Sequence, residues 1–316
     1  MTKGLIQVVA GLGGLALLYY GAEWLVRGGR ALAVRLKVSS LIIGLTLVAF
    51  GTSAPELFVS TSASLHGFGD ICVGNVVGSD ICNIALILGL TGLVAPVTVS
   101  RMVFSRDLPV MVVASLATAV ICLVAGGMGR VVGAVFVLAL VVYTSVGIVM
   151  SREDSVAADG DLVSMGLSRA VFAAIIGLVA LVVGAKLILA AAVTLERELG
   201  VPDELIALTV VAVGTSLPEL ATSVVAARRG EADIAIGNIV GSNIFNLLGI
   251  LGVSSILAPF ASEGVDVLDY GMMVATAIIL GPLLKFRNRL GRIEGVLLLL
   301  IYAGYLVVLV ARKVMG

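Results

Sequence analysis

Long apolar runs separated by short polar clusters make up most of the chain. An apolar stretch of about 20 residues is long enough to cross a bilayer as a helix. Ten stretches of this kind cover residues 5–29, 39–65, 71–95, 107–127, 131–150, 169–194, 203–227, 233–258, 266–284 and 293–312. The pattern therefore predicts an all-α integral membrane protein with ten transmembrane helices. The only long polar break, residues 151–168, divides these helices five and five.

Composition agrees with this pattern and excludes several classes of protein. Of the 316 residues, 60% are hydrophobic and 13% are charged, and the mean hydropathy is +1.18. Soluble domains carry about 25% charged residues. The 20 basic and 20 acidic residues balance, so no excess positive charge points to nucleic acid. With one histidine and three cysteines in apolar runs, we expect no disulfide, no cofactor and no enzymatic activity, and no obligate protein partner besides the lipid bilayer.

The distribution of Lys and Arg predicts how the chain is oriented. With ten spans, 14 of the 20 basic residues fall on the face that carries the central polar segment. Five fall on the face that carries both termini, and Lys186 lies inside a span. Because positively charged loops remain cytoplasmic, we expect segment 151–168 inside the cell and both termini outside it, in an inner or plasma membrane. The first apolar stretch lacks a cleavage pattern and is interpreted as a span rather than a signal peptide.

The two halves of the chain repeat each other. Residues 51–89 align with residues 214–252 without a gap at an offset of 163, and 21 of the 39 positions are identical. We interpret residues 1–150 and 169–316 as two copies of a five-helix repeat joined by the cytoplasmic linker 151–168. Since five is an odd number, the second copy enters the membrane from the opposite face. Such inverted repeats are typical of secondary transporters.

Each copy carries one glutamate deep in a predicted span, in the sequences GTSAPE and GTSLPE. A charge at the bilayer centre costs about 2.5–3.5 kcal/mol on insertion scales. A two-fold axis in the membrane plane would bring Glu56 and Glu219 face to face, where a divalent cation would neutralise both. Pro55 and Pro218 should break the helices and free carbonyl oxygens. Carboxylate and carbonyl oxygens suit Ca²⁺ and Na⁺.

A second motif follows in each copy, GNVVGSDICN at 74–83 and GNIVGSNIFN at 237–246. Ser79 and Asn83 are four residues apart and share one helix face, as do Ser242 and Asn246. We expect these hydroxyl and amide oxygens to point toward the glutamates. Each copy also has a pair of glycines that permits close helix packing, Gly74 with Gly78 and Gly237 with Gly241.

The paired motifs resemble those of the sodium/calcium exchangers of the cation/Ca²⁺ exchanger superfamily, in particular the compact prokaryotic members. The resemblance covers essentially the whole chain and implies a ten-helix inverted-repeat fold and the antiport of three Na⁺ for one Ca²⁺. It implies that Ca²⁺ is bound by Glu56, Glu219 and main-chain oxygens of Thr52 and Thr215. For Na⁺ it implies the same four residues together with Ser53, Ser216, Ser79, Ser242, Asn83, Asn246, Ala49 and Ala212.

Two positions depart from the family pattern. Several relatives, including potassium-dependent ones, have Asp where this chain has Asn246, which argues against co-transport of K⁺. Asp80 stands where the other copy has Asn243; it either adds charge to the ion site or is a buried supporting group. Glu23 and Arg27 are expected to form a local i,i+4 pair.

Two other modes of transport stay open on sequence grounds. H⁺/Ca²⁺ antiport could use the same two glutamates, and a passive cation channel is the third class. The additional hydroxyl and amide oxygens favour Na⁺, because protons need no such ligands.

Overall fold

A computed structural model describes residues 2–154, 165–198, 212–285 and 288–315, and almost all of them are helical. The helices are α1 Thr2–Leu36, α2 Ser40–Thr52, α3 Ala54–Leu65, α4 Gly69–Val94, α5 Val103–Ala125, α6 Arg130–Asp154, α7 Leu167–Glu198, α8 Ala212–Thr215, α9 Leu217–Arg228, α10 Ala232–Leu257, α11 Val267–Lys285 and α12 Arg292–Met315. Four two-residue strands complete the fold: β1 Val97–Thr98, β2 Gly127–Met128, β3 Phe260–Ala261 and β4 Arg289–Leu290.

Within the described ranges, eight helices are long and apolar enough to span a bilayer, and the bent pair α2 and α3 gives a ninth candidate span. These nine correspond to nine of the ten predicted stretches. The remaining stretch, 203–227, lies partly outside the described residues, and its described part forms α8 and α9. Most of the predicted linker 151–168 also lies outside them. The chain is thus an integral membrane protein with multiple spanning helices.

Contacts along the chain divide it into two compact units. The first contains residues 1–55 and 146–238, and the second contains residues 56–145 and 239–316. In the first unit, α1 packs along α7 through facing glycines. A Cβ at Gly177 would lie 2.7 Å from the carbonyl oxygen of Gly21, and one at Gly184 would lie 2.8 Å from that of Gly14. The two backbones are therefore in direct contact, which only glycine at these positions allows.

A cluster of ion pairs connects α1 to the segment that follows α9 in the first unit. Glu23 pairs with Arg27 at 2.8 Å, as the i,i+4 spacing predicts. Glu23 also accepts a hydrogen bond from Arg229, which the sequence pattern does not indicate. Arg30 pairs with Glu231 at 2.6 Å. Glu23 therefore stabilises contacts between distant parts of this unit as well as its own helix.

The second unit contains two short antiparallel ribbons, β1 with β4 and β2 with β3. Its helices also approach closely at glycines, since a Cβ at Gly295 would lie 2.6 Å from the carbonyl oxygen of Gly89. Asp266 lies in the turn before α11 and so outside the spanning helix Val267–Lys285. The backbone N–H of Leu268 and the guanidinium of Arg312, 2.8 Å from the carboxylate, hold the pKa of Asp266 below its ordinary value.

The two copies of the second motif pack differently from one another. A Cβ at Gly237 would lie 2.8 Å from the carbonyl oxygen of Leu41, so this glycine permits close packing as predicted. At Gly74 and Gly78 a Cβ would meet no described heavy atom within 4 Å. Within the described part of the chain, the prediction of close packing is therefore wrong for these two glycines of the first copy.

Candidate cation site

Both motif glutamates follow a break in a helix. Ser53, between α2 and α3, has φ −82° and ψ 8°, and Ser216, between α8 and α9, has φ −88° and ψ 8°. These values lie in the sparsely populated bridge region. α2 and α3 meet at an angle of 51°. The predicted breaks are confirmed, and each lies two residues before its proline.

Glu219 is a buried acidic residue of the first unit. It lies in the first turn of α9 and is 1% exposed. The hydroxyl of Ser53 donates to its Oε1 at 2.9 Å, which brings two predicted ligands together. Among the described residues, Oε2 has no hydrogen-bond partner. One carboxylate oxygen thus remains able to bind a cation, and the positive end of the helix dipole stabilises the charge.

Asn238, on α10, fixes the backbone and side chains around this glutamate. Its Nδ2 donates to the main-chain oxygen of Glu219 at 3.2 Å and to the hydroxyl of Ser223 at 3.0 Å. Its Oδ1 accepts from the hydroxyl of Thr52 at 3.0 Å. The sequence analysis missed Asn238, although the first copy also has an asparagine, Asn75, at this motif position. Asn75 donates to Ser60 at 2.9 Å.

The second unit contains Glu56, which is also 1% exposed, and the two asparagines that close the second motifs. Asp80 and Asn243 link Asn83 to Asn246. Asn246 Nδ2 donates to Asp80 Oδ1 at 2.9 Å, and Asn83 Nδ2 donates to Asn243 Oδ1 at 2.9 Å. Asn243 Nδ2 donates to the main-chain oxygen of Asp80 at 3.2 Å.

Several predicted ligands carry oxygens with no hydrogen-bond partner among the described residues. These atoms are Thr215 Oγ1, Ser242 Oγ, Asn83 Oδ1 and Asn246 Oδ1. A buried polar atom without a partner costs free energy, so such atoms mark positions where a ligand would be stabilised. Ser53, Ser79 and Ser216 are also buried, at 0%, 3% and 1% exposed.

The two alanines in the predicted set have different outcomes. The carbonyl oxygen of Ala49 accepts from the backbone N–H of Ser53 at 3.0 Å. A carbonyl has two lone pairs, so the oxygen of Ala49 can still accept a cation. Ala212 begins α8, and its side chain lies outside the described part of the structure.

π-helical segments interrupt α4 and α10 at corresponding places. They cover Cys82–Leu88 and Phe245–Ile250 and contain Asn83 and Asn246. A π turn adds a residue to the helical turn and is frequent at functional sites. Hydrophobic periodicity gave no sign of either segment, because both are buried and apolar on all sides.

The described side chains suit a hard cation rather than a transition metal. They form no group of three or more His, Cys, Asp or Glu residues that could hold a metal ion. The available donors are instead carboxylate, hydroxyl and amide oxygens, which suit Ca²⁺ and Na⁺.

Comparison with known proteins places the chain in a family. The model of the family described as sodium/calcium exchanger protein matches residues 6–149 and 169–311. The chain belongs to this sodium/calcium exchanger family. The inner membrane protein YrbG of Escherichia coli is 37% identical over 90% of this chain and 91% of its own length. The sodium/calcium exchanger MaX1 of Methanosarcina acetivorans is 31% identical over 94% of this chain and 96% of its own length.

A solved structure of an exchanger of this family has the same fold. The sodium-calcium exchanger NCX_Mj, soaked with Na⁺ and Ca²⁺, superimposes with a TM-score of 0.83 at 32% identity and covers 95% of this chain and 97% of its own. The family consists of membrane exchangers, and membership supports cation/Ca²⁺ exchange as the activity of this chain.

Proposed function

We propose that this chain is a secondary transporter that exchanges Na⁺ for Ca²⁺ across the membrane by alternating access. The observation that carries the proposal is the pair of buried motif glutamates, Glu56 and Glu219, each in the turn after a helix break. A buried carboxylate is costly unless a cation or a proton neutralises it. The sequence duplication gives both glutamates the same motif in their own copies, and we infer that they bind the same transported ion.

The charge of the site explains why two cargoes would compete. Ionised Glu56 and Glu219 carry a formal charge of −2, which one Ca²⁺ or two Na⁺ balance, and a third Na⁺ leaves +1. Because both cargoes need the same carboxylates, one must leave before the other binds. The ion-free protein keeps its buried charge and should switch slowly between its two access states, which limits leak of ions without a separate gate residue. At three Na⁺ for each Ca²⁺, the membrane potential contributes about 2.3 kcal/mol per 100 mV.

Na⁺ is favoured over H⁺ as the coupling ion by the neutral oxygens. Among the described residues, Thr215, Ser242, Asn83 and Asn246 each have an oxygen without a hydrogen-bond partner. We infer that these atoms complete Na⁺ coordination with Ser53, Ser79, Ser216, Thr52, Ala212 and the glutamates. Ala49 would join through the second lone pair of its carbonyl oxygen. The Thr52 and Thr215 main-chain oxygens would complete the Ca²⁺ shell. A proton would need none of these atoms.

The complete proposal extends to topology and location. We propose ten spans in two inverted five-helix repeats, residues 1–150 and 169–316, with the linker 151–168 in the cytoplasm and both termini outside an inner or plasma membrane. The hydrogen bond from Asn75 to Ser60 recurs as that from Asn238 to Ser223 at the repeat offset, which supports the duplication. We propose α1 and α7 as the helices that slide during exchange. We propose no enzymatic activity, cofactor, nucleic acid or obligate protein partner.

Uptake of ⁴⁵Ca²⁺ into proteoliposomes tests this function. Vesicles loaded with Na⁺ should accumulate Ca²⁺, whereas vesicles loaded with K⁺ or choline should not. A valinomycin-set inside-positive potential, which favours Na⁺ exit, should accelerate uptake if three Na⁺ leave for each Ca²⁺. Uptake driven only by an outward proton gradient would instead identify an H⁺/Ca²⁺ antiporter that uses the same glutamates. A large single-channel current would identify a channel.

A further inference from the structure

Asp80 breaks the symmetry between the two copies of the second motif. Its counterpart at the offset of 163 is Asn243, so only the first copy carries a carboxylate there. Asp80 lies on α4, inside a membrane span, and is 1% exposed. The proposed exchange of Na⁺ for Ca²⁺ needs no third carboxylate. A buried acidic group that the transport reaction does not require calls for a physical reason.

The carboxylate of Asp80 determines how the amide of Asn246 is turned. A carboxyl oxygen that carries no proton can accept a hydrogen bond but cannot donate one. Asn246, 2.9 Å from Asp80 Oδ1, must therefore direct its NH₂ group toward Asp80. The amide oxygen of Asn246 then points away from Asp80, and among the described residues it accepts no hydrogen bond.

The backbone of Asp80 determines the orientation of Asn83 through one further residue. A main-chain carbonyl also only accepts, so Asn243 must direct its NH₂ group toward the oxygen of Asp80, at 3.2 Å. The amide oxygen of Asn243 consequently faces Asn83, and Asn83 must donate through its own NH₂ group, at 2.9 Å. Asn83 Oδ1 likewise has no hydrogen-bond partner in the described part of the chain.

We propose that Asp80 is a positioning residue that orients Asn246 through its carboxylate, and Asn83 through its main-chain oxygen and Asn243. Both asparagines then offer a carbonyl oxygen to Na⁺, and their NH₂ groups, which would repel a cation, are occupied. The proposal rests on the proposed function, in which Asn83 and Asn246 are Na⁺ ligands. It assigns Asp80 a role in Na⁺ affinity without direct contact to the ion.

Substitution of Asp80 by Asn separates its effect on Asn246, through the side chain, from its effect on Asn83, through the main chain. Asparagine has almost the same shape but both donates and accepts, so it no longer dictates which way Asn246 turns. The hydrogen bonds that connect the main-chain oxygen of Asp80 to Asn83 through Asn243 are unaffected. The Na⁺ concentration that gives half-maximal Ca²⁺ uptake should rise about tenfold, equivalent to about 1.4 kcal/mol. Asp107→Asn is the matched control, because Asp107 is also a buried carboxylate in the same unit and is held instead by Arg106 and Tyr143. It should leave the half-maximal Na⁺ concentration unchanged.

A double-variant cycle in proteoliposomes decides whether Asp80 acts through Asn246. Asn246→Ala alone should raise the half-maximal Na⁺ concentration, and Asp80→Asn added to it should change nothing further, because the group that Asp80 orients is gone. The exchange variant Asp80→Asn with Asn246→Asp should return the concentration to within about threefold of wild type, since a carboxylate at 246 presents oxygen in either orientation. This variant also serves as the second measurement if Asp80→Asn alone does not fold.

Three outcomes would overturn the proposal, and they differ from one another. Additive effects of Asp80→Asn and Asn246→Ala would show that Asp80 does not act through Asn246. An unchanged half-maximal Na⁺ concentration in Asn246→Ala would remove Asn246 from the ligand set. Absence of Na⁺-driven Ca²⁺ uptake by the wild-type protein would refute the proposed function itself, and the positioning role with it.

Discussion

Replacement of Glu219 by Gln tests whether the carboxylate of this residue binds Ca²⁺. Ca²⁺ binds carboxylate oxygens at about 2.4 Å. At that distance, even with the full screening of bulk water, the attraction between Ca²⁺ and one carboxylate is about 3.5 kcal/mol. Because Glu219 is only 1% exposed, this value is a lower bound. Loss of the charge should therefore weaken Ca²⁺ binding by more than two orders of magnitude.

The same substitution should leave the cation-free protein at least as stable as the wild type. The hydroxyl of Ser53, now 2.9 Å from Glu219 Oε1, can donate equally well to the amide oxygen of Gln. A buried neutral amide is also less costly than a buried carboxylate. We therefore expect the unfolding temperature in Na⁺- and Ca²⁺-free buffer to stay equal or rise.

Thermal unfolding in detergent with increasing Ca²⁺ measures both effects together. Wild-type protein should be stabilised progressively, as a ligand that binds only the folded state requires, and Glu219→Gln should show no Ca²⁺-induced shift. Glu231→Gln is the matched control in the same unit, since it breaks only the ion pair with Arg30 and should keep the full shift. An unaltered Ca²⁺-induced shift in Glu219→Gln would refute the assignment of this carboxylate to the site.

Three further predictions concern packing, hydrogen bonding and pH. Gly177→Leu should lower the unfolding temperature by several degrees and slow ⁴⁵Ca²⁺ uptake, because its Cβ would lie 2.7 Å from the Gly21 oxygen. Gly13→Leu should do neither, because a Cβ there meets no described heavy atom within 4 Å. Asn238→Ala should cost more unfolding free energy than Asn75→Ala in denaturant titrations, because Asn238 makes three of the side-chain hydrogen bonds described above and Asn75 makes one. The pKa of Asp266 is lowered on folding, so its stabilising contribution is present above the ordinary value of 3.8 and is lost as the pH falls below it. Asp266→Asn should show a shallower fall in unfolding temperature over that range, and an identical fall would contradict the argument.

The helix breaks and the burial of the glutamates follow from local chemistry, and the sequence predicts both. Pro55 cannot donate a backbone hydrogen bond wherever the chain folds, so the helix must be interrupted near it. An acidic residue in an apolar run is likewise buried in any arrangement of spans. The duplication strengthens each inference, because Glu219 repeats the pattern of Glu56.

The hydrogen-bond network around the glutamates depends on neighbours from distant segments, which a single sequence does not reveal. Asn238 and Thr52 are bonded across 186 positions, and no local pattern indicates that partnership. The sequence analysis missed the two π segments, because one extra residue in a turn does not change the hydrophobic pattern of a helix that is apolar around most of its surface. Gly74 and Gly237 occupy the same motif position, yet among the described helices only Gly237 has one packed against it. The shared motif therefore places a glycine at both positions but does not predict which of them packs against another helix.

Competition between the two cargoes tests the central claim most directly, because exchange at shared glutamates requires it. The measurement is the apparent dissociation constant of the purified protein for Ca²⁺ at increasing Na⁺ concentration, with choline replacing Na⁺ to keep ionic strength constant. We predict that the apparent constant rises without limit and more steeply than in proportion to Na⁺, because more than one Na⁺ displaces each Ca²⁺. A plateau at high Na⁺ would show that both ions bind at the same time and would contradict the account.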